Sequence, residues 1–278
     1  MAGRECGRRK NGNKYEMKEI LNEFDPITLD EMRGIKLMNR IDTKFVTTVP
    51  MLRQLLELAK DQYYVQESDG LRISPYYTLY FDTEDCKMYN RHEAGHLTRQ
   101  KVRVRSYLNA GLNFLEVKTK NNHGRTKKKR TEALGFDPER TDGFDVRSTD
   151  YETFLQTYLK YDQQTLVRQV ENRFDRITLV NKAKTERLTI DTNLRFHNIA
   201  TGHSRVMDNL VVIELKRDGL QPSPVLPMLT QLRIFPHGFS KYCIGSALTN
   251  EALRRNRIKP RLHSVEKIIK EIRYDGVF

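Results

Sequence analysis

Five stretches of this chain alternate charged and apolar residues with a period of two. The clearest, LTRQKVRVRSYL, spans Leu97 to Leu108. On a strand, alternate side chains share a face. Arg99, Lys101, Arg103, Arg105 and Tyr107 then line one side, and Val102, Val104 and Leu108 the other. Phe114, Glu116, Lys118 and Lys120 oppose Leu115 and Val117 in the next stretch, and Thr126, Lys128 and Arg130 share a face after it. Arg187, Thr189 and Asp191 oppose Leu188 and Ile190, and Val212, Glu214 and Lys216 oppose Val211, Ile213 and Leu215. Arg40, Asp42 and Lys44 form a similar dyad series near the start. Such rows of Arg and Lys suit a polyanion, because guanidinium–phosphate contacts are strong and often bidentate.

One charged strand face is ordinarily a solvated surface. Five of them, dominated by cations, repel one another unless something neutralises them. A closed barrel of about eight strands would turn that face into a lumen wide enough for one small ligand. The few carboxylates there, Glu116, Glu214, Asp42 and Asp191, either balance neighbouring cations or hold Mg²⁺ or Mn²⁺ through oxygen ligands beside phosphates. Glu214 is the favoured ligand.

The elements that must position these residues follow from periodicity. Strands are predicted over Asn39–Thr47, Tyr76–Phe81, Leu97–Leu108, Asn113–Lys120, Arg125–Ala133, Val167–Phe174, Ile177–Val180, Arg187–Asp191 and Leu210–Lys216. Helices are predicted after Pro50, over Thr149–Tyr161, within Pro224–Phe235, over Ser246–Arg255 and over Val265–Ile272. The Asn121–Gly124 turn makes a hairpin and argues for an antiparallel sheet, hence an α+β fold.

Composition narrows the function classes. The 278 residues carry 49 Lys+Arg against 36 Asp+Glu, a net charge of +13. A hydrophobic share of 38% is enough for a core. The longest apolar run, Leu210–Ile213, is far short of the ~20 residues of a membrane span. Met1 to Lys14 reads as a disordered basic tail without an apolar signal segment, and residues 15–278 as one domain. Cys6, Cys86 and Cys243 form no CxxC pair, which excludes a disulfide framework and fits a reducing cytoplasm. Nucleic acid is disfavoured, because only Tyr107 and Phe114 interleave the basic faces as stacking platforms. No GxxxxGK[ST] or GxGxxG loop occurs. His92-Glu93-Ala94-Gly95-His96 matches the zinc-protease pentad HExxH, but Gly95 and the charged strand that follows deny it the helix it needs, so it reads as a loop.

The ordered series Arg40-x-Asp42-x-Lys44, Tyr80-Phe81-Asp82, Lys101-Val102-Arg103-Val104-Arg105, Glu116-x-Lys118, Lys128-x-Arg130, Arg173, Arg187, Glu214-x-Lys216 and Ser240-Lys241-Tyr242 resembles the VTC polyphosphate-polymerase domain of the triphosphate tunnel metalloenzymes. The resemblance runs from about Asn39 to Gly245. It implies a closed antiparallel β-barrel with flanking helices, Mn²⁺ or Mg²⁺ as cofactor, and ATP and polyphosphate as ligands. It implies catalytic roles for Arg103, Arg105, Lys118, Arg173 and Arg187. Phosphate contacts fall to Lys44, Lys101, Lys128, Arg130, Lys216 and Lys241, and metal binding to Glu214 and Glu116. Two departures stand out. The resemblance implies an aromatic residue two positions before Arg173, where this chain has Glu171, and Arg40 stands where related tunnel enzymes often carry Glu.

The expected activity is transfer of the ATP γ-phosphoryl group to a growing polyphosphate chain. Water as acceptor would make the same site a tripolyphosphatase or nucleoside triphosphatase, and a third reading is a non-catalytic polyphosphate-binding module. The location expected is the cytoplasm.

Overall fold

The alternating stretches form strands, because each buries one apolar face and leaves the other to charge. The computed structural model describes residues 15–33, 35, 40–219 and 221–270, and only the backbone at 40 and 270. The predicted tail over 1–14, Asn39, and helix residues beyond 270 lie outside the described residues.

The strands are β1 (Asp25–Ile27), β2 (Arg40–Thr48), β3 (Tyr63–Gln66), β4 (Ser74–Thr83), β5 (Arg99–Tyr107), β6 (Leu112–Lys120), β7 (Thr126–Glu132), β8 (Leu166–Asn181), β9 (Glu186–Asn198), β10 (Ser204–Met207) and β11 (Leu210–Asp218). The helices are α1 over residues 15–22, α2 (Leu29–Arg33), α3 (Val49–Ala59), α4 (Lys87–Glu93), α5 (Glu152–Tyr158), α6 (Val225–Gln231), α7 (Lys241–Thr249) and α8 (Lys259–Lys270). Pro50 sits in the first turn of α3, where its missing N–H costs nothing.

Eight strands run in the order β2-β11-β9-β8-β4-β5-β6-β7, with every neighbouring pair antiparallel. The fold is α+β, but the expected closed barrel is not formed. The sheet is an open, strongly curled half-barrel whose edges stand 10 Å apart. Hydrogen-bonded strands lie ~4.8 Å apart, so β2 and β7 are beyond pairing distance. The edge strand β7 is exposed along nearly its whole length and carries Lys127, Lys128, Lys129 and Arg130.

The convex face is covered in two patches. Leu52, Leu55 and Leu56 of α3 and Val225 and Leu229 of α6 pack on Leu188, Ile190, Val211 and Ile213. Phe136, Phe144, Val146 and Leu155 pack on Leu79, Val102, Val104, Leu115 and Val117. A third cluster lies on the concave face, where Tyr242, Cys243 and Ile244 of α7 and Leu262 and Val265 of α8 meet Val46, Tyr80, Phe174, Phe196 and Val212. Each such buried aliphatic or aromatic side chain contributes ~1.5–3 kcal/mol. Helices α7 and α8 thus plug part of the trough and leave the rest polar.

Three predicted elements differ. Val167–Phe174 and Ile177–Val180 are one continuous strand, β8, with a register shift against β9 between Arg173 and Asp175. The helix expected over Ser246–Arg255 instead starts at Lys241, because the Ser240 side chain caps it by accepting from the Cys243 N–H at 3.2 Å. The segment before Leu97, read as a loop, holds α4. His92 and Glu93 are in and at the end of that helix, and Gly95 breaks it at a φ of 81°.

Candidate phosphate-binding trough

The register sets which charges meet. On the concave face, Lys101 pairs with Lys118, Arg103 with Glu116, Lys118 with Lys128 and Glu116 with Arg130. On the opposite wall, Lys44 pairs with Glu214, Glu214 with Thr189, Lys216 with Arg187 and Asp42 with Lys216. The floor between them is made by Tyr76, Thr78 and Tyr80 of β4. The trough therefore gathers Lys44, Lys101, Arg103, Arg105, Lys118, Lys128, Arg130, Arg187, Glu116, Glu214 and Lys216, all read from strand parity.

Arg173 is not among them. It pairs with Tyr77 on the convex side, lies 4.9 Å over that ring, and donates to Glu139 Oε1 and the Pro138 carbonyl, both at 2.9 Å. The arginine that β8 turns inward is Arg176. Alternate residues of β8 share a face, so Arg176, not Arg173, lies on the side of Phe174, and the extra residue of the bulge belongs to β9. Phe174 stands two positions before Arg176 and is the aromatic residue expected where Glu171 precedes Arg173. Glu171 is itself on the convex side, where it accepts from the Thr141 hydroxyl at 2.9 Å. Phe174-x-Arg176 was the missed signal.

Each carboxylate in the trough holds cations. Arg103 donates Nε and Nη2 to Glu116 Oε2 at 2.8 and 2.6 Å, and Lys128 reaches Oε1 at 3.0 Å. Burial would raise the Glu116 carboxyl, but the charges of Arg103, Arg105 and Lys128 outweigh it and hold it far below the usual range. Arg176 and Lys241 share Asp191 in the same way. Glu214 takes Lys44 on Oε1 at 2.6 Å and Lys216 on Oε2 at 2.8 Å. The opposing pull of burial is again outweighed, by Lys216 and Lys44.

Arg105, Lys101 and Lys118 form no salt bridge among the described residues. Among the described residues, buried Arg105 has no acceptor for its Nε, and its guanidinium lies 5.8 Å from the Tyr76 and Phe174 ring centres. Burial and then Arg103 and Arg176 push it down to about 10. Lys118 is held well below its ordinary value by Arg103 first, then by burial and Arg105. Burial pushes Lys101 and Lys241 down to about 8, with further lowering from neighbouring cations. Cations crowded on one buried face lower one another's basicity, and a bound anion would relieve that.

Among the described residues no group of three or more His, Cys, Asp or Glu can hold a metal. Mg²⁺ and Mn²⁺ commonly need only one or two carboxylates beside substrate phosphates. Glu214 fits that pattern, since its two partners are lysines on flexible stems with side-chain exposures of 37% and 22%. Glu116 does not fit. Its side chain is fully buried and pairs with the planar Arg103 fork and with Lys128, as a counter-ion does. The HExxH residues hold no common face: Glu93 Oε1 accepts the Arg257 N–H at 2.6 Å.

The VTC domain family model matches residues 39–250. No curated protein matches the chain. Among solved structures, a protein from Hippeastrum, provisionally named an adenylyl cyclase and described as revealing a dominant triphosphatase activity, is 14% identical. The match covers 78% of this chain and 100% of that one, at a TM-score of 0.46. A Bacillus halodurans protein provisionally named an adenylate cyclase is 14% identical over 73% of this chain and 96% of its own, at 0.46. A similarly named Vibrio parahaemolyticus protein is 10% identical over 74% and 97%, at 0.43.

Proposed function

Because the chain belongs to the VTC domain family, we propose that the trough transfers the γ-phosphoryl group of ATP to the end of a polyphosphate chain. The observation that carries this reading is the inward, buried pair Arg105 and Lys118, which form no salt bridge among the described residues. Phosphoryl transfer asks a protein for in-line positioning and charge neutralisation rather than covalent chemistry. A terminal oxygen of the chain forms the new bond to the γ-phosphorus. The bond from that phosphorus to the bridging oxygen breaks, and ADP leaves.

Arg103, Arg105, Arg176 and Arg187 grip the phosphate oxygens of the nucleotide. Lys118 and Lys128, on the β6–β7 wall, and Lys44 and Lys216, opposite them, neutralise charge on the transferring group. Lys101, Arg130 and Lys241 guide the chain. Glu214 would hold Mn²⁺ or Mg²⁺, which when bound supplies charge neutralisation on the triphosphate. No helix of the described residues is long and apolar enough to cross a membrane.

The test is incubation with ATP and Mn²⁺, followed by gel separation of chains and assay of free phosphate. Growing chains support the polymerase. Phosphate without chains makes the acceptor water, and tight polyphosphate binding with neither product makes the trough a binding module.

A further inference from the structure

Asp82 and Tyr242 close two segments of the ordered series, Tyr80-Phe81-Asp82 and Ser240-Lys241-Tyr242, and neither takes part in the proposed transfer. They bond to each other. Tyr242, in the first turn of α7, donates its hydroxyl to Asp82 Oδ2 at 2.5 Å. Asp82 is wholly buried near the end of β4. It also accepts three backbone N–H groups, from Thr83 at 2.8 Å, Met88 at 2.9 Å and Tyr89 at 2.8 Å. The carboxylate is thus fixed to the start of α4. An O–H to carboxylate bond in such a dry place is short and strong. Burial, then Asp82, push the Tyr242 hydroxyl well above its ordinary value, so it keeps the proton it donates.

The turn that Tyr242 anchors delivers two cations to the trough, and its three successive residues reach three strands. Ser240 Oγ accepts from Lys101 Nζ of β5 at 2.8 Å. Lys241 Nζ donates to Asp191 Oδ2 of β9. Tyr242 meets Asp82 of β4. The first two contacts are made by lysines that line the trough, and each ammonium can turn to a bound phosphate instead. The third cannot, because Asp82 and Tyr242 are both buried away from the ligand. The Tyr242 ring is also wedged between Tyr80, with centres 5.2 Å apart, and Tyr89, at 6.4 Å. The Asp82–Tyr242 bond is therefore the polar contact of this turn that stays the same whether the trough is empty or filled.

We propose that Asp82 and Tyr242 are positioning residues, a latch that fixes the first turn of α7 where Lys241, and Lys101 through Ser240, point at the phosphates. This rests on the trough being a phosphate site. Neither latch residue touches the ligand, and both act through the two lysines. Without the Tyr242 hydroxyl the turn keeps its Ser240 cap and its apolar packing. Its remaining polar ties to the sheet are then the two that a phosphate displaces. Binding must also order the turn, which lowers affinity.

Calorimetric titration of the full chain with tripolyphosphate tests this, beside urea midpoints that confirm each variant is folded. Tyr242→Phe keeps the ring and should bind about tenfold more weakly. Tyr89→Phe is the control. It removes another hydroxyl of the same cluster, one that donates to the Arg254 carbonyl at 2.7 Å, and should bind as the wild type does. In a Lys241→Ala background, Tyr242→Phe should weaken binding by only about threefold or less, because the lysine it acts through is gone. Wild-type affinity in Tyr242→Phe, an equal loss in Tyr89→Phe, or the full tenfold loss in both backgrounds overturns the latch and leaves the trough reading intact. A wild-type chain that binds no tripolyphosphate overturns the trough reading, and the latch with it.

Discussion

Arg176 on β8 grips Asp191 on β9 through two parallel hydrogen bonds, Nε to Oδ1 at 2.6 Å and Nη2 to Oδ2 at 2.9 Å. Lys241, in the first turn of α7, reaches the same carboxylate. One aspartate thus ties the sheet wall to the helical plug and aims two cations into the trough.

Arg176→Ala should abolish turnover with ATP. It should also cost about 3–5 kcal/mol of stability, because Asp191 keeps a buried charge with one partner fewer. Arg173→Ala should keep activity and lose at most about 1 kcal/mol, since its pair with Glu139 is exposed. Urea midpoints and initial rates for the two variants check this.

The two glutamates should separate in the same manner. Glu116→Gln should lower stability by several kcal/mol, about 3–5, by stranding Arg103. Glu214→Gln should leave the fold near wild type and remove the Mn²⁺ dependence of turnover. A metal titration with both variants distinguishes the counter-ion from the ligand.

The depressed lysines set a pH dependence. Lys101 and Lys241 titrate at about 8 in the folded chain, against ~10.4 in an unfolded one. Between those values the unfolded state binds more protons, so stability rises with pH. The penalty is full below about pH 8 and is relieved as pH approaches ~10.4. A bound phosphate chain restores the lysine charge, so it should flatten this rise and bind more weakly as pH increases. Melting temperatures from about pH 7 to about pH 9.5, with and without tripolyphosphate, measure the slope.

Helix α7 rests on the sheet at Gly245, where an added Cβ would stand 2.4 Å from the Phe196 ring. Gly245→Ala should destabilise by about 1–3 kcal/mol through overpacking. It should also lower activity, because the helix that shifts carries Lys241. Denaturant unfolding and rate measurements on the variant test both effects.

Strand parity alone made the two walls legible, because every residue of an unbroken strand keeps its face. Arg103, Arg105, Lys118, Glu116, Glu214 and Lys216 were readable for that reason. Arg173 rested on the family resemblance rather than on parity, and parity with Phe174 turns Arg176 inward instead. Closure was not legible either, since alternation says nothing about whether β2 and β7 pair. Nor could it show that Glu116 meets Arg103 in a fully buried fork, a fact of register between strands. The cap at Ser240 carried a sequence signal, a serine before a helix, which the downstream apolar residues obscured.

The most direct measurement is tripolyphosphate binding at neutral pH by wild type, Arg105→Ala and Arg173→Ala. The inward face of β5 predicts a loss of about a hundredfold or more for Arg105→Ala and none for Arg173→Ala. Wild-type affinity in Arg105→Ala would contradict the trough as the phosphate site.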